Sequence, residues 1–351
     1  MNLETAAFLE ASITTPVIDV RSPAEYEKGH IPGALNIPLF NNEERAEVGM
    51  IYKRSGRQAA IFKGMDIIGP DMSRLLKKAL SVARDCHLLV HCWRGGMRSE
   101  SMAWLFRQGG IGTDILTGGY KAYRRYIRTY SGLRQPLIVL GGMTGSGKTE
   151  ILQYIHNTNE QFIDLEALAN HKGSAFGDIG QAPQPTNEQF ENDLAAQWLK
   201  LDEHQPLWLE DESRSIGTVT IPDPVFQKII QAPVIFIELP LEERINRIVN
   251  EYAGFSKLIL EEAIHRISKR LGGKNVKDAL TFLYNDNFEK AVEIILRYYD
   301  KAYLNSLHQR KDIQVYRLKL EKDDPERNAR EVLDFYYNKI DRKVTNRAHT
   351  F

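Results

Sequence analysis

The sequence predicts an α/β protein: two successive parallel-sheet units and a helical C-terminal region. Three observations carry this. Short apolar strand patterns alternate with amphipathic helix patterns through both halves. Two glycine-rich loops, at Cys92–Ser99 and Gly142–Thr149, each stand between such a strand and a helix. The 351 residues exceed the roughly 250–300 that one hydrophobic core serves. A content of 42% hydrophobic and 26% charged residues excludes a disordered or collagen-like chain. The longest apolar runs, Leu137–Leu140 and Val234–Ile237, fall far short of the ~20 residues of a membrane span, so no membrane association is expected. Met1-Asn-Leu-Glu shows no secretory leader pattern. The cysteines Cys86 and Cys92 make no disulfide framework, and point to a reducing, cytoplasmic setting.

The first unit is expected over 1–132. Pro16–Val20 is a buried-strand pattern, and Ser22-Pro-Ala-Glu25 starts a helix with an N-cap, a proline at the first position and a capping box. Gly29–Gly33 is a turn and Ala34–Pro38 a strand. Met72–Ala83 is an amphipathic helix, His87–His91 a buried strand, and Ser99–Arg107 a helix stopped by Gly109-Gly110. The stretch 120–134 interleaves Tyr120, Tyr123, Tyr126 and Tyr130 with Lys121, Arg124, Arg125, Arg128 and Arg134, and reads as a linker or connecting helix. The second unit, 133–253, opens with the strand Leu137–Leu140. Residues 254–351 are mainly helical, with a strand at Ile313–Leu318 and a closing helix at Pro325–Ile340.

Formal net charge is zero, yet its parts are not neutral. Residues 1–135 carry +6, 136–253 carry −11 and 254–351 carry +5. Two basic ends around an acidic middle suit a polyanionic partner, although solvated faces also fluctuate in charge.

Cys92 opens the loop Cys92-Trp-Arg-Gly-Gly-Met-Arg98-Ser99. At a strand end, such a loop turns backbone N–H groups towards the sulfur, and the following helix N-terminus adds positive potential. With Arg94 and Arg98 nearby, the thiol is expected to act as a nucleophilic thiolate. Cys86 lacks such surroundings and reads as structural. Trp93 either stacks on a substrate or packs. Asp19-Val-Arg21-Ser22, Glu25-Tyr26 and Gly29-His-Ile-Pro-Gly-Ala34 resemble the N-terminal signature of rhodanese domains, and Cys92 falls where that family carries its persulfide cysteine. Many small sulfurtransferases place an arginine five positions after this cysteine. Arg98 stands six after it, which resembles the phosphatases of the same fold and implies a substrate larger than a sulfur atom.

Gly142-Met-Thr144-Gly145-Ser146-Gly147-Lys148-Thr149 matches G-x-x-x-x-G-K-[ST] between a strand and a helix, the context of a phosphate-binding loop. Its backbone N–H groups and Lys148 would hold phosphate, and Thr149 can ligate Mg²⁺. Acids at neighbouring strand ends are the natural partners: Asp164 and Glu166 follow one strand, Glu210-Asp211-Glu212 another. Asp164 and Asp211 are the candidates, with a plain helix-terminal or solvated role as the alternative. Arg244 and Arg247 sit one turn apart and resemble the arginine-bearing lid of small P-loop kinases, or are surface charges.

The fold class is therefore a rhodanese-like domain followed by a P-loop NTPase-like domain. Adding Asp164–Gly177 and Glu210–Gly217, the order of motifs resembles the bacterial tRNA 2-selenouridine synthase family over nearly the whole chain. The resemblance implies an enzyme that replaces the 2-sulfur of wobble 2-thiouridine with selenium from selenophosphate, through an S-geranyl intermediate made from geranyl diphosphate. It implies that Cys92 carries a selenium–sulfur adduct and that the loop Gly142–Thr149 grips diphosphate. No tightly bound cofactor is expected, and Mg²⁺ stays open. Thiouridine tRNA is the implied partner, along with a selenophosphate-supplying enzyme. Arg124, Arg125, Arg128, Lys269 and Arg270 are the candidate tRNA contacts. The competing reading is a small-molecule kinase fused to a sulfurtransferase domain.

Overall fold

A computed structural model describes residues 1–130, 136–310 and 313–341. The chain divides into two compact units: residues 1–131 together with Glu191–Ala196, and residues 132–190 with 197–351. Arg134, in the tyrosine–arginine stretch, lies outside the described residues.

The first unit runs β1 (Asn2–Leu3), α1 (Thr5–Ala11), β2 (Val17–Asp19), α2 (Pro23–Lys28), β3 (Leu35–Asn36), α3 (Asn42–Ile68), α4 (Met72–Val82), β4 (His87–His91), α5 (Met97–Gln108), β5 (Gly112–Leu116) and α6 (Gly119–Tyr130). The sheet has the order β1-β5-β4-β2-β3, and every pairing is parallel. Helices cover both faces, so β2 and β4 are buried on successive residues (Val17–Asp19 and Leu88–His91) rather than alternating between buried and exposed. Ile18, Leu88 and Val90 pack under Leu75 and Ala79 of α4 and Met102 and Phe106 of α5. Val17 and Leu89 face the other way, onto Phe8 of α1 and Tyr120, Tyr123 and Ile127 of α6. The stretch 120–130 is thus a helix with one packed face.

α3 carries no sequence signal as one amphipathic helix, and the structure shows why. Gly56 (φ 83°, ψ −177°) breaks it into two limbs. Lys63 in the second limb meets Glu47 in the first at 2.8 Å. Residues that far apart in a straight helix stand about 24 Å apart, so α3 folds back on itself. The turn of this bend, Tyr52–Gln58, is exposed throughout.

The second unit runs β6 (Leu137–Gly142), α7 (Lys148–His156), β7 (Gln161–Phe162), α8 (Leu165–Ala169), α9 (Asn187–Trp198, of which Glu191–Ala196 belongs to the first unit), β8 (Leu207–Glu210), β9 (Ser215–Ile216), β10 (Val219–Thr220), α10 (Asp223–Gln231), β11 (Val234–Glu238) and α11 (Leu241–Tyr252). It continues through α12 (Lys257–Arg266), α13 (Ser268–Leu271), α14 (Gly273–Tyr284), α15 (Phe288–Gln309), β12 (Val315–Lys319) and α16 (Pro325–Tyr336). Its sheet has the order β12-β11-β6-β8-β7, again all parallel; β9 and β10 form a separate antiparallel pair. Ile138, Leu140, Ile235 and Ile237 pack against Ile151, Leu152 and Ile155 of α7 and Val332 and Tyr336 of α16. A second core joins α12, α14 and α15. β6 is central in the sheet, which puts the loop after it at the carboxyl end, where open α/β sheets bind ligands.

Candidate functional site

Cys92 leaves the end of β4 and its loop returns as α5. Cys92 is 3% exposed, and its sulfur faces inward onto α5. It stands 3.3 Å from Ser99 Oγ, and Ser99 donates to the Gly96 carbonyl at 2.9 Å. A hydroxyl has one proton, so Ser99 can donate to a Cys92 thiolate only by releasing Gly96. The loop backbone is docked on the start of α6: Tyr120 N–H donates to Cys92 O at 2.8 Å and Lys121 N–H to Trp93 O at 3.0 Å. Gly95 and Gly119 both have positive φ, and a Cβ on Gly119 would fall 2.4 Å from Cys92 O. Only glycine permits this approach. Beneath lies a buried pair, Arg21 Nε donating to Asp19 at 2.9–3.0 Å, with the guanidinium 3.8 Å from the centre of the Tyr120 ring.

The two loop arginines part company. Arg94 is exposed, with no side-chain hydrogen bond or ion pair among the described residues. Arg98 is half-buried and donates to Glu25 at 2.6 and 3.3 Å. Burial pushes the Glu25 carboxyl up, but Arg98 and Arg45 outweigh it and hold the carboxyl below its usual range. Trp93 is 36% exposed at the loop surface.

In the second unit, Gly145 and Gly147 take the positive φ values that let the loop wrap an anion. Lys148 Nζ donates to Gly142 O at 3.3 Å. Ser146 Oγ is buried with no hydrogen-bond partner among the described residues. Thr149 Oγ1 donates to Glu166 at 3.4 Å. Arg244 and Arg247 stand against this loop, each paired with carboxylates. Arg244 donates to the Thr144 carbonyl at 3.1 Å and bidentately to Asp300 at 2.8 Å, while Arg247 reaches Glu150 at 2.9 Å and Asp323 at 3.2 Å. A Cβ on Gly147 would fall 2.5 Å from Arg247.

The acids are arranged differently from the sequence candidates. Asp164 caps α8, accepting from Ala167 N–H at 2.8 Å. Asp211 is buried, ion-paired with Arg310 at 2.6 Å and hydrogen-bonded by Tyr303, whose hydroxyl also accepts from Gly142 N–H at 3.3 Å. Instead Glu166, Glu210 and Glu212 converge, with carboxylate oxygens within 4.8 Å of one another. Burial first, and then mutual repulsion, pushes the Glu166 carboxyl up to about 8, and raises Glu210 and Glu212 likewise. Glu210 Oε1 is buried without a hydrogen-bond partner among the described residues. Hard oxygen donors at this spacing beside Thr149 fit a divalent cation. A signal for this was present: past the end of β8, alternation puts Glu210 and Glu212 on one side and Asp211 on the other.

The segment after α8 roofs the cluster. Gly173 lies against Glu166 and Glu212. His171 is buried, packed where a Cβ on Gly177 or Gly217 would collide with its ring. Of the candidate tRNA contacts, Arg124 is buried and bonded to Glu191 and Asn192, and Arg128 pairs with Glu191 at 3.2 Å. Arg125, Lys269 and Arg270 are exposed.

Comparison with known proteins agrees with this division. Residues 4–126 match the rhodanese-like domain, and residues 135–323 match the tRNA 2-selenouridine synthase AAA domain. A tRNA 2-selenouridine synthase of Nitrosomonas europaea is 35% identical, over 85% of this chain and 90% of its own. That of Bdellovibrio bacteriovorus is 35% identical over 84% and 89%, and that of Sulfurovum sp. is 40% identical over 75% and 77%. With such identity along most of its length, and with both domains in the same order, the chain belongs to the tRNA 2-selenouridine synthase family.

Proposed function

We propose that this chain is a transferase acting on tRNA, which replaces the 2-sulfur of wobble 2-thiouridine with selenium from selenophosphate. In this reading the sulfur is first alkylated by geranyl diphosphate. Alkylation makes C2 electrophilic and turns a poor leaving group into a thiol that departs when selenium attacks. The observation that supports it is one chain holding a buried thiol in a strand-to-helix loop and, in its other unit, a loop of the pattern G-x-x-x-x-G-K-T beside three carboxylates.

The loop Gly142–Thr149 receives the departing diphosphate, with its N–H groups and Lys148 stabilising the charge that develops there. Glu166, Glu210, Glu212 and Thr149 would hold Mg²⁺, which neutralises diphosphate charge when bound. Cys92 serves the selenium step, with Ser99 turning to donate to its thiolate. The reaction places the enzyme in the cytoplasm with tRNA, and a selenophosphate-supplying enzyme is its partner.

The test supplies tRNA carrying wobble 2-thiouridine with geranyl diphosphate alone, selenophosphate alone, or both, followed by mass spectrometry of the nucleoside. Geranylthiouridine from the first and selenouridine from the third are expected. Unmodified nucleoside together with tRNA-independent phosphoryl transfer from ATP would overturn the reading in favour of the kinase.

A further inference from the structure

We propose that the bent tip of α3 is an RNA-gripping surface, in which Lys53, Arg54 and Arg57, with Arg94 of the thiol loop, hold phosphates of the single-stranded loop carrying the modified base. This rests on the proposed tRNA substrate and specifies where it is held.

Four observations carry it. The bend at Gly56 projects Tyr52–Gln58 as a wholly exposed turn, and three of those seven residues are cationic. Lys53 and Arg54 make no hydrogen bond or ion pair among the described residues, unlike Lys63 and Arg45 on the same helix. A cation without a carboxylate partner keeps its full charge for phosphate. The tip is moored at the thiol loop, where Arg57 Nη2 lies 3.7 Å from the sulfur of Met97, the first residue of α5. Finally, exposed rings stand in the same two segments: Tyr52 at 59% and Trp93 at 36%. Cations with exposed aromatics suit a single strand, whose unstacked bases need a π-face.

The surface also supplies what the thiol loop lacks. Arg98 is bound to Glu25, and Arg124 and Arg128 to Glu191, so these arginines already have carboxylate partners. Gly56 is the joint that makes the surface, since its φ of 83° with ψ of −177° is a conformation only glycine holds readily.

The experiment measures affinity of the full chain for thiouridine tRNA across salt, for the wild type, the K53E/R54E/R57E triple variant, and Gly56→Ala. The triple variant is expected to lose at least tenfold in affinity and to flatten the slope of log affinity against log salt by roughly two to three. Gly56→Ala removes no charge, and is expected to lose affinity by displacing Arg57 from Met97. The Cys92 alkylation rate and the melting temperature report that the fold is intact. Should melting fall in the triple variant, K53A/R54A replaces it, with an expected loss of at least fivefold. Wild-type binding with smaller losses than these in the charge variants overturns the surface and leaves the proposed function standing. A wild type that binds no tRNA overturns both.

Discussion

Gly173 stands directly over the carboxylate of Glu166: a methyl group on its Cα would lie 2.7 Å from Glu166 Oε1, and Gly173 itself sits at φ +67°. The roof of the cluster is therefore backbone, close enough that no side chain fits beneath it. Gly173→Ala is expected to push the roof off the cluster and to cost about 1–3 kcal/mol of stability, through steric overlap and backbone strain. Differential scanning fluorimetry should show a lower melting temperature and a smaller shift with Mg²⁺ than in the wild type.

The raised carboxyls give stability a definite pH dependence. Glu166 ionises near its ordinary 4.5 when unfolded, but only around 8 in the fold. The folded protein thus binds more protons between these values, and its stability falls as pH rises from about 4.5 through 8. Glu210 and Glu212 act in the same direction. In chelator, melting at pH 8.5 should lie below melting at pH 6, and millimolar Mg²⁺ should restore more at the higher pH. Glu210→Gln should flatten both responses.

The two loops should separate by mutation. Lys148→Ala removes the only ammonium in the phosphate loop, and is expected to reduce geranylation of thiouridine tRNA by two orders of magnitude or more, as loss of a transition-state charge partner does. Cys92→Ser should leave geranylation near the wild-type rate and abolish selenouridine. Mass spectrometry of the nucleoside reads both. Selenouridine made by Cys92→Ser would remove the thiol from the reaction.

Gly119→Ala tests the docking of the thiol loop on α6. The new methyl would overlap Cys92 O and Gly95 N at 2.4 Å. The loop must shift, with a stability loss of about 2 kcal/mol. Iodoacetamide should then alkylate Cys92 faster, because the sulfur leaves its buried position.

Most of the fold was legible in the sequence because its signals were local. The capping box Ser22–Glu25, the strand His87–His91 and the glycine–lysine loop each declare themselves within a few residues. α3 did not, because its buried residues are only Ala60 and Gly64, both small and both in the second limb, and its limbs meet at a glycine that reads as ordinary. In the site, both loops were legible as patterns. What happens to a charge after folding was not. That Arg98 meets Glu25 and Asp211 meets Arg310 depends on residues 73 and 99 positions away. The glutamate cluster joins β8 to α8 in the same non-local way, though the alternation of Glu210 and Glu212 pointed to it.

The Arg98–Glu25 pair has a consequence for selectivity. Glu25 acts as a resident competitor, already seated on the guanidinium of the thiol loop. Chloride and other weak monovalent anions, however abundant, offer one diffuse charge against a carboxylate held by two contacts. In the proposed reaction, a dianion with several oxygens would meet the loop and the exposed Arg94 first, then take Arg98 in exchange for Glu25. On the proposed function, the loop would thereby discriminate by valence, staying occupied by its own carboxylate in ordinary salt and yielding only to a multiply charged guest.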